Sequence, residues 1–152
     1  MLIYIGADHQ GFQLKDALKK FLKERGYEVI DVGNDKYDEN DDYPDFAVLV
    51  AKQVAQDVFT RRGILICGSG AGVDITANKF KDIRSVLAAN PDQAYLSRKD
   101  DDTNILSLAA EFTNEEVAKK IISVWLSTPF SNEEKYKKRL EKIRNIEYGN
   151  QE

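Results

Sequence analysis

Short apolar, β-branched runs alternate with amphipathic helical stretches along the whole chain, and that alternation admits few folds. Leu2–Gly6 reads as a strand. The Gln10–Arg25 stretch that follows sets Leu14, Ala17, Leu18, Phe21 and Leu22 on one helical face, with Gly26 closing it. Tyr27–Val32 is a second strand and opens into a polar loop, Gly33 to Tyr43. Pro44 starts a helix whose buried stripe is Phe46, Ala47, Val50, Ala51, Val54 and Val58. Ile64–Ile66, Ile83–Leu87 and Asn104–Leu108 supply three further strands, with helices over Val73–Phe80 and from Pro91 to about Lys99 between them. Val117, Ala118, Ile121, Ile122, Val124 and Trp125 mark the next helix, and a last one runs from about Asn132 to Glu147. Helices of this length between strands require parallel β-α-β units with right-handed crossovers. The expected fold is α/β, a three-layer α/β/α sandwich on a five-stranded parallel, Rossmann-like sheet, with an added C-terminal helix. Residues 1–152 are expected to form one domain.

Composition narrows the functional classes. A chain of 152 residues can bury a proper core without staples. No apolar run approaches the roughly 18 residues of a membrane span, so no membrane partner is expected. Met1 leads into a strand rather than a signal peptide, and one cysteine makes no internal disulfide, so a reducing cytoplasm is the expected location. A net charge of −4 argues against a general nucleic-acid binder. The last helix carries Lys135, Lys137, Lys138, Arg139, Lys142 and Arg144. Two readings stand for it, a solvated face or a basic arm reaching a neighbouring subunit.

The segment Gly63-Ile-Leu-Ile-Cys67-Gly68-Ser69-Gly70-Ala71-Gly72 concentrates the chemistry. A buried strand feeds into alternating glycines, which let backbone N–H groups approach a ligand, and the chain's one cysteine stands at the junction. Positive potential at such a spot favours a reactive thiolate. The spacing is Gly-x-Gly-x-Gly, not the dinucleotide Gly-x-Gly-x-x-Gly, and no Gly-Lys-Ser/Thr marks a nucleotide loop. A tight turn beside a structural cysteine is the plainer alternative.

Ligands of open parallel sheets bind outside the carboxyl ends of the strands. Those ends carry Asp8-His9-Gln10-Gly11, Cys67 with the glycine loop, Asn90-Pro91-Asp92 and Ala109-Ala110-Glu111. His9, the single histidine, adjoins Asp8 at such an end, where it can serve as acid, base or anion contact.

Asp8-His-Gln-Gly-Phe12, Asp42-Tyr-Pro44, the 63–72 segment, Ala77-Asn-Lys-Phe80, Ile83-Arg84 and Leu96-Ser-Arg98…Asp102-Thr-Asn104 occur together in order. In this the chain resembles the type B ribose-5-phosphate isomerases and the related galactose-6-phosphate isomerase subunits, from about residue 2 to 146. The resemblance implies aldose–ketose isomerisation of a sugar phosphate through an enediolate, without metal or cofactor, in homodimers or homotetramers whose sites are shared between subunits. Cys67 falls on the family's proton-transferring thiol. Gly68, Gly70, Ala71 and Gly72 fall on its anion hole, and Ser69 on a hydroxyl position. Asp8 and His9 fall on substrate contacts.

The chain also departs from the family's pattern. Where a ring-opening His and an Asn are usual stand Asp100 and Asp101; Glu111 replaces an arginine, and Lys135 aligns with another, while Arg139 is kept. Lysine does not reproduce arginine's bidentate fork, and Glu111 reverses the local field. The expectation is ribose 5-phosphate as substrate, with Asp100 as acid–base, Asp101 accepting hydroxyl protons, and Lys135 with Arg139 holding phosphate. The alternatives are a different sugar, one half of a hetero-oligomer, or a non-catalytic sugar-binding relic. The Asp100-Asp101-Asp102 run has no regular Ca²⁺-loop spacing and reads otherwise as a solvated loop.

Overall fold

A computed structural model describes residues 1–149. Five strands, β1 (Leu2–Ala7), β2 (Glu28–Asp31), β3 (Arg61–Cys67), β4 (Ser85–Leu87) and β5 (Ile105–Ala109), form one sheet in the order β2-β1-β3-β5-β4. Every pairing is parallel. Six helices complete the chain: α1 (Phe12–Glu24), α2 (Tyr43–Ala55), α3 (Ala71–Ala77), α4 (Pro91–Asp101), α5 (Glu115–Ser127) and α6 (Glu134–Glu147).

The central strands are apolar on both faces because both are covered. Ile3, Ile5, Ile64, Ile66, Leu106 and Leu108 pack against α1, α4 and α5 through Leu18, Leu22, Ala94, Ile121, Ile122 and Trp125. The alternate residues Tyr4, Leu65, Cys67 and Ile105 pack against α2 and α3 through Ala47, Val50, Ala51, Val54, Val73 and Ala77. The expected α/β/α sandwich is therefore the fold. Its strand order carries a consequence for function. From β1 the chain steps outward to β2, then returns to the other side of β1 for β3. The connections leave in opposite directions there, so a crevice opens between the C-terminal ends of β1 and β3.

Several of the sequence motifs are used in joining elements. Asn78 donates to the Ser85 carbonyl and accepts from the Ser85 N–H, tying α3 to β4. The buried Arg98 donates to Asp102 at 2.7 Å and to the Thr103 carbonyl at 2.6 Å, and Arg84 grips Asp102 from the other side. Asn104 accepts from the Arg84 N–H and donates to the Asp82 carbonyl. Together these fix the turn from α4 into β5.

Asp100 and Asp101 differ from the solvated-loop reading. They form the last turn of α4, which ends at Asp102 in a left-handed conformation (φ 46°); its N–H donates to the Arg98 carbonyl, and that of Thr103 donates to the Ser97 carbonyl. Helix α6 starts beside that end, where Ser131 N–H donates to the Lys99 carbonyl. It is anchored by the buried Tyr136 and reaches Asp82, which accepts from Tyr148 and donates its N–H to Glu147. It thus lies by the N-terminal ends of β3, β4 and β5, the end of the sheet opposite the β1/β3 crevice.

Candidate active site

The crevice holds a cleft of about 290 Å³. Its walls are Asp8, His9 and Gln10 from the end of β1, Cys67, Gly68, Ser69 and Gly72 from the end of β3, and Asp41, Asp42 and Tyr43 from the start of α2. Five of the predicted site residues after β1 and β3 therefore meet in one place, joined by Gly72. Gly70 and Ala71 shape the loop without lining the cleft. A larger hollow of about 440 Å³ lies under α6, between Phe59, Arg84, Leu140 and Arg144, but holds no thiol or histidine. The thiol and the histidine stand in the smaller cleft.

Cys67 ends β3 and is 4% exposed, its side chain on the α2–α3 face of the sheet. The backbone leaves it at once, because its carbonyl accepts from Ala110 N–H (2.9 Å) and that of Gly68 from Glu111 N–H (3.0 Å). Gly70 then turns the chain with φ +73°. A Cβ there would lie 2.5 Å from Leu87 Cδ1 and 3.0 Å from the Ala109 nitrogen. The left-handed backbone costs an L-residue about 1–2 kcal/mol and the overpacking about as much again. Gly70→Ala is expected to lower stability by about 2–4 kcal/mol in urea unfolding; a loss below about 0.5 kcal/mol would contradict this account of the turn.

The first helical bond of α3 runs from Asp74 N–H to the Gly70 carbonyl, so the N–H groups before it have no helical acceptor. Ala71 N–H turns to Ser69 Oγ at 3.3 Å. Gly72 lets the Tyr43 ring close over the loop, since a Cβ there would stand 2.5 Å from Tyr43 Cζ. The loop thus presents backbone donors, a hydroxyl and a thiol to one small volume.

Opposite the thiol, Asp8 is 5% exposed and accepts from the N–H groups of Gln10 (3.0 Å) and Gly11 (3.1 Å). Burial raises its carboxyl above the ordinary value against the pull of those bonds and of His9. His9 is bound by Asp41, a residue that the sequence patterns did not single out. Asp41 Oδ1 accepts from both His9 N–H and His9 Nδ1, each at 2.8 Å. That bond, first among the causes, raises the imidazole above its ordinary value; partial burial opposes it and Asp8 assists. Glu111 also stands at this edge, its carboxylate 3.0 Å from where a Gly68 Cβ would lie.

Asp100, Asp101, Lys135 and Arg139 are elsewhere in the same subunit. Helix α4 starts after the C-terminal end of β4 with Pro91 and carries Asp100 and Asp101 at its far end; eleven residues of helix span roughly 16 Å. There Lys99, Lys135 and Arg139 surround the Tyr136 ring at 6.0, 4.7 and 5.4 Å. The buried Asp100 Oδ1 lies 3.5 Å from Lys99 Nζ and has no hydrogen-bond partner among the described residues. Partial desolvation and then Asp100 push the Asp101 carboxyl up, and Arg139 pulls it back. The predicted site is thus two clusters at opposite ends of the fold.

A sequence profile of the Ribose/Galactose Isomerase family matches residues 3–143. The chain belongs to that family. Ribose-5-phosphate isomerase B of Escherichia coli K12 is 43% identical over 145 residues, which cover 95% of each protein. The crystal structure of ribose-5-phosphate isomerase B from Mycoplasma genitalium with bound ribulose-5-phosphate superposes with a TM-score of 0.94 at 37% identity. The match covers 97% of this chain and 96% of that one. The Clostridium thermocellum ribose-5-phosphate isomerase B gives 0.93 at 41% identity, over 99% and 100% of the two chains. Similarity at this coverage extends over α4 and α6 as well as the cleft, so both clusters lie within the part of the chain shared with this isomerase family.

Proposed function

We propose that the protein interconverts ribose 5-phosphate and ribulose 5-phosphate. The observation that carries this reading is the placement of Cys67, Asp8 and His9 around one cleft at the β1/β3 switch point, in a chain 37% identical to a relative solved with ribulose-5-phosphate bound. In the forward direction the ring opens and the Cys67 thiolate takes the proton from C2. The electrons form the enediolate with charge on O1; the carbon proton returns to C1, and the O2 hydroxyl proton passes to O1 as the C2 oxygen becomes a carbonyl. Loop N–H groups of residues 68–72 and Ser69 would stabilise the enediolate oxygen, and Asp8 would hold substrate hydroxyls.

Phosphate requires cations, and the cleft of one subunit is acidic. Asp8, Asp41, Asp42 and Glu111 stand at its edge against His9 as the one basic side chain in its lining. Lys135 and Arg139, with Asp100 as ring-opening acid–base and Asp101 as hydroxyl acceptor, would complete it from a second subunit. That arrangement makes a homo-oligomer the working unit. No helix among the described residues is long and apolar enough to cross a membrane, and a cytoplasmic location is part of this proposal.

The test is turnover of ribose 5-phosphate by the purified protein. Ketose formation would support the reading, and silence with substrate and enzyme intact would overturn it. Arg139→Ala should raise KM for ribose 5-phosphate about tenfold or more, since a charge-assisted hydrogen bond is worth about 1.5–3 kcal/mol. An unchanged KM would remove Arg139 from the phosphate grip.

A further inference from the structure

Asp41 lies in the polar stretch before α2, in which the sequence shows no periodicity, yet its side chain is only 7% exposed. Three hydrogen bonds converge on that buried carboxylate. Oδ1 accepts from His9 N–H and Nδ1, both at 2.8 Å, and Oδ2 accepts from Asn34 Nδ2 at 2.9 Å. A carboxylate only accepts, so Nδ1 carries the proton. The support continues one step further. The Asn34 carbonyl accepts from Lys15 Nζ at 2.9 Å, and Lys15, 1% exposed, also donates to Asp31 at 3.0 Å. A fully buried lysine therefore pins the backbone of the residue that pins Asp41.

We propose that Asp41 is a positioning residue, which grips His9 at two points and turns its Nε2 edge to the cleft as the subunit's own contact for an anionic substrate. The proposal rests on the isomerase reading for the identity of the anion, but not for the grip itself. Nε2 has no protein partner among the described residues. The groups facing the ring are Asp41 at Nδ1, Asp8 behind it, the Tyr37 ring edge-on with centroids 6.4 Å apart, and the Cys67 thiol across the cleft. Carboxylates dominate this set, and each stabilises the protonated ring. In a cleft edged by acidic side chains, a neutral imidazole would leave the subunit's own lining with no positive side chain to offer a phosphate. Asp41 thus sets the charge of the imidazole edge that the substrate meets. It does so through His9.

The sign follows from that geometry. Asp41 extends the protonated state of His9 to higher pH, so affinity for an anion is present at low pH and is lost as pH rises through the His9 titration. Asp41→Asn keeps an acceptor of the same shape and removes the charge, so the loss should begin at lower pH.

The chain's single histidine makes the first readout unambiguous. Followed by NMR, the His9 ring should titrate above its ordinary value in the native protein and at lower pH in Asp41→Asn. The second readout is kinetic. Asp41→Asn should raise KM for ribose 5-phosphate about tenfold at pH 8 but less than twofold at pH 6, with kcat nearly unchanged. Asn34→Ala, which removes the other support of Asp41, should give a weaker shift of the same sign. Identical His9 titrations in native protein and Asp41→Asn would overturn the proposal. So would a KM increase equal at both pH values, the signature of a merely structural role. If the native protein failed to turn over ribose 5-phosphate, the isomerase reading would fall, while the titration would still decide the role of Asp41.

Discussion

Cys67→Ser should lower kcat for ribose 5-phosphate isomerisation about a thousandfold or more while leaving the fold intact. A positioned general base contributes about 10²–10⁴-fold, and a serine hydroxyl is far too weak an acid to supply the basic form near neutral pH. Stability should suffer much less. Cys67 is 4% exposed among the apolar residues of α2 and α3, so a hydroxyl in its place costs about 1–3 kcal/mol if it finds no partner. Unfolding curves and kinetics together separate the two effects. A second measurement ties the thiol to the proton itself. In deuterated water the native enzyme should exchange the C2 hydrogen of ribose 5-phosphate during turnover, and Cys67→Ser should exchange it at the rate of the uncatalysed solution. Retained exchange with slowed product formation would assign the proton transfer to another group and leave Cys67 as part of the loop's packing.

The cysteine was legible in the sequence because strand, thiol and glycines are contiguous there, and each has a local physical meaning. The helices on both faces were legible for the same reason, since the stripes through Leu18 and Leu22 and through Val50 and Val54 are properties of single segments. What escaped depends on partners distant along the chain. The exchange of β4 and β5 in the sheet order is set by packing, because β4 is three residues long and sits at the edge against β5 alone. Asp41 escaped because its partner, His9, is 32 residues away and the loop between has no period. The run at 100–102 resembled solvent-facing loop by composition. It is held as helix by Arg98 and Arg84, which neutralise Asp102 from two sides. The choice for Lys135 and Arg139 between a basic arm reaching a neighbouring subunit and a solvated face turned on what α6 rests against, and Tyr136, the residue that anchors it, looks in the sequence like any other apolar position on that helix.

Two inactive variants should restore each other. Cys67→Ser lacks the base but keeps Lys135 and Arg139; a Lys135→Ala/Arg139→Ala double variant keeps the base and lacks the cations. Each alone should be nearly silent at low substrate concentration. If subunits of the two are mixed and allowed to reassort as dimers, half of the dimers are hybrids, and each hybrid owns one site with both halves whole. Activity should recover to about a quarter of the native value. The expectation follows from where the fold puts these side chains. The thiol stands at the C-terminal end of β3, whereas Lys135 and Arg139 gather around Tyr136 beside the far end of α4, roughly 16 Å of helix away from the C-terminal end of the sheet. A five-carbon sugar phosphate seated on Cys67 cannot also reach that cluster within one subunit. Two subunits related by a twofold axis can bring the clusters together twice, once at each cleft. If instead every essential group came from a single subunit, hybrids would contain two broken sites and mixing would recover nothing. That outcome would leave His9, held by Asp41, as the cation available to the phosphate and would return the basic face of α6 to the solvent.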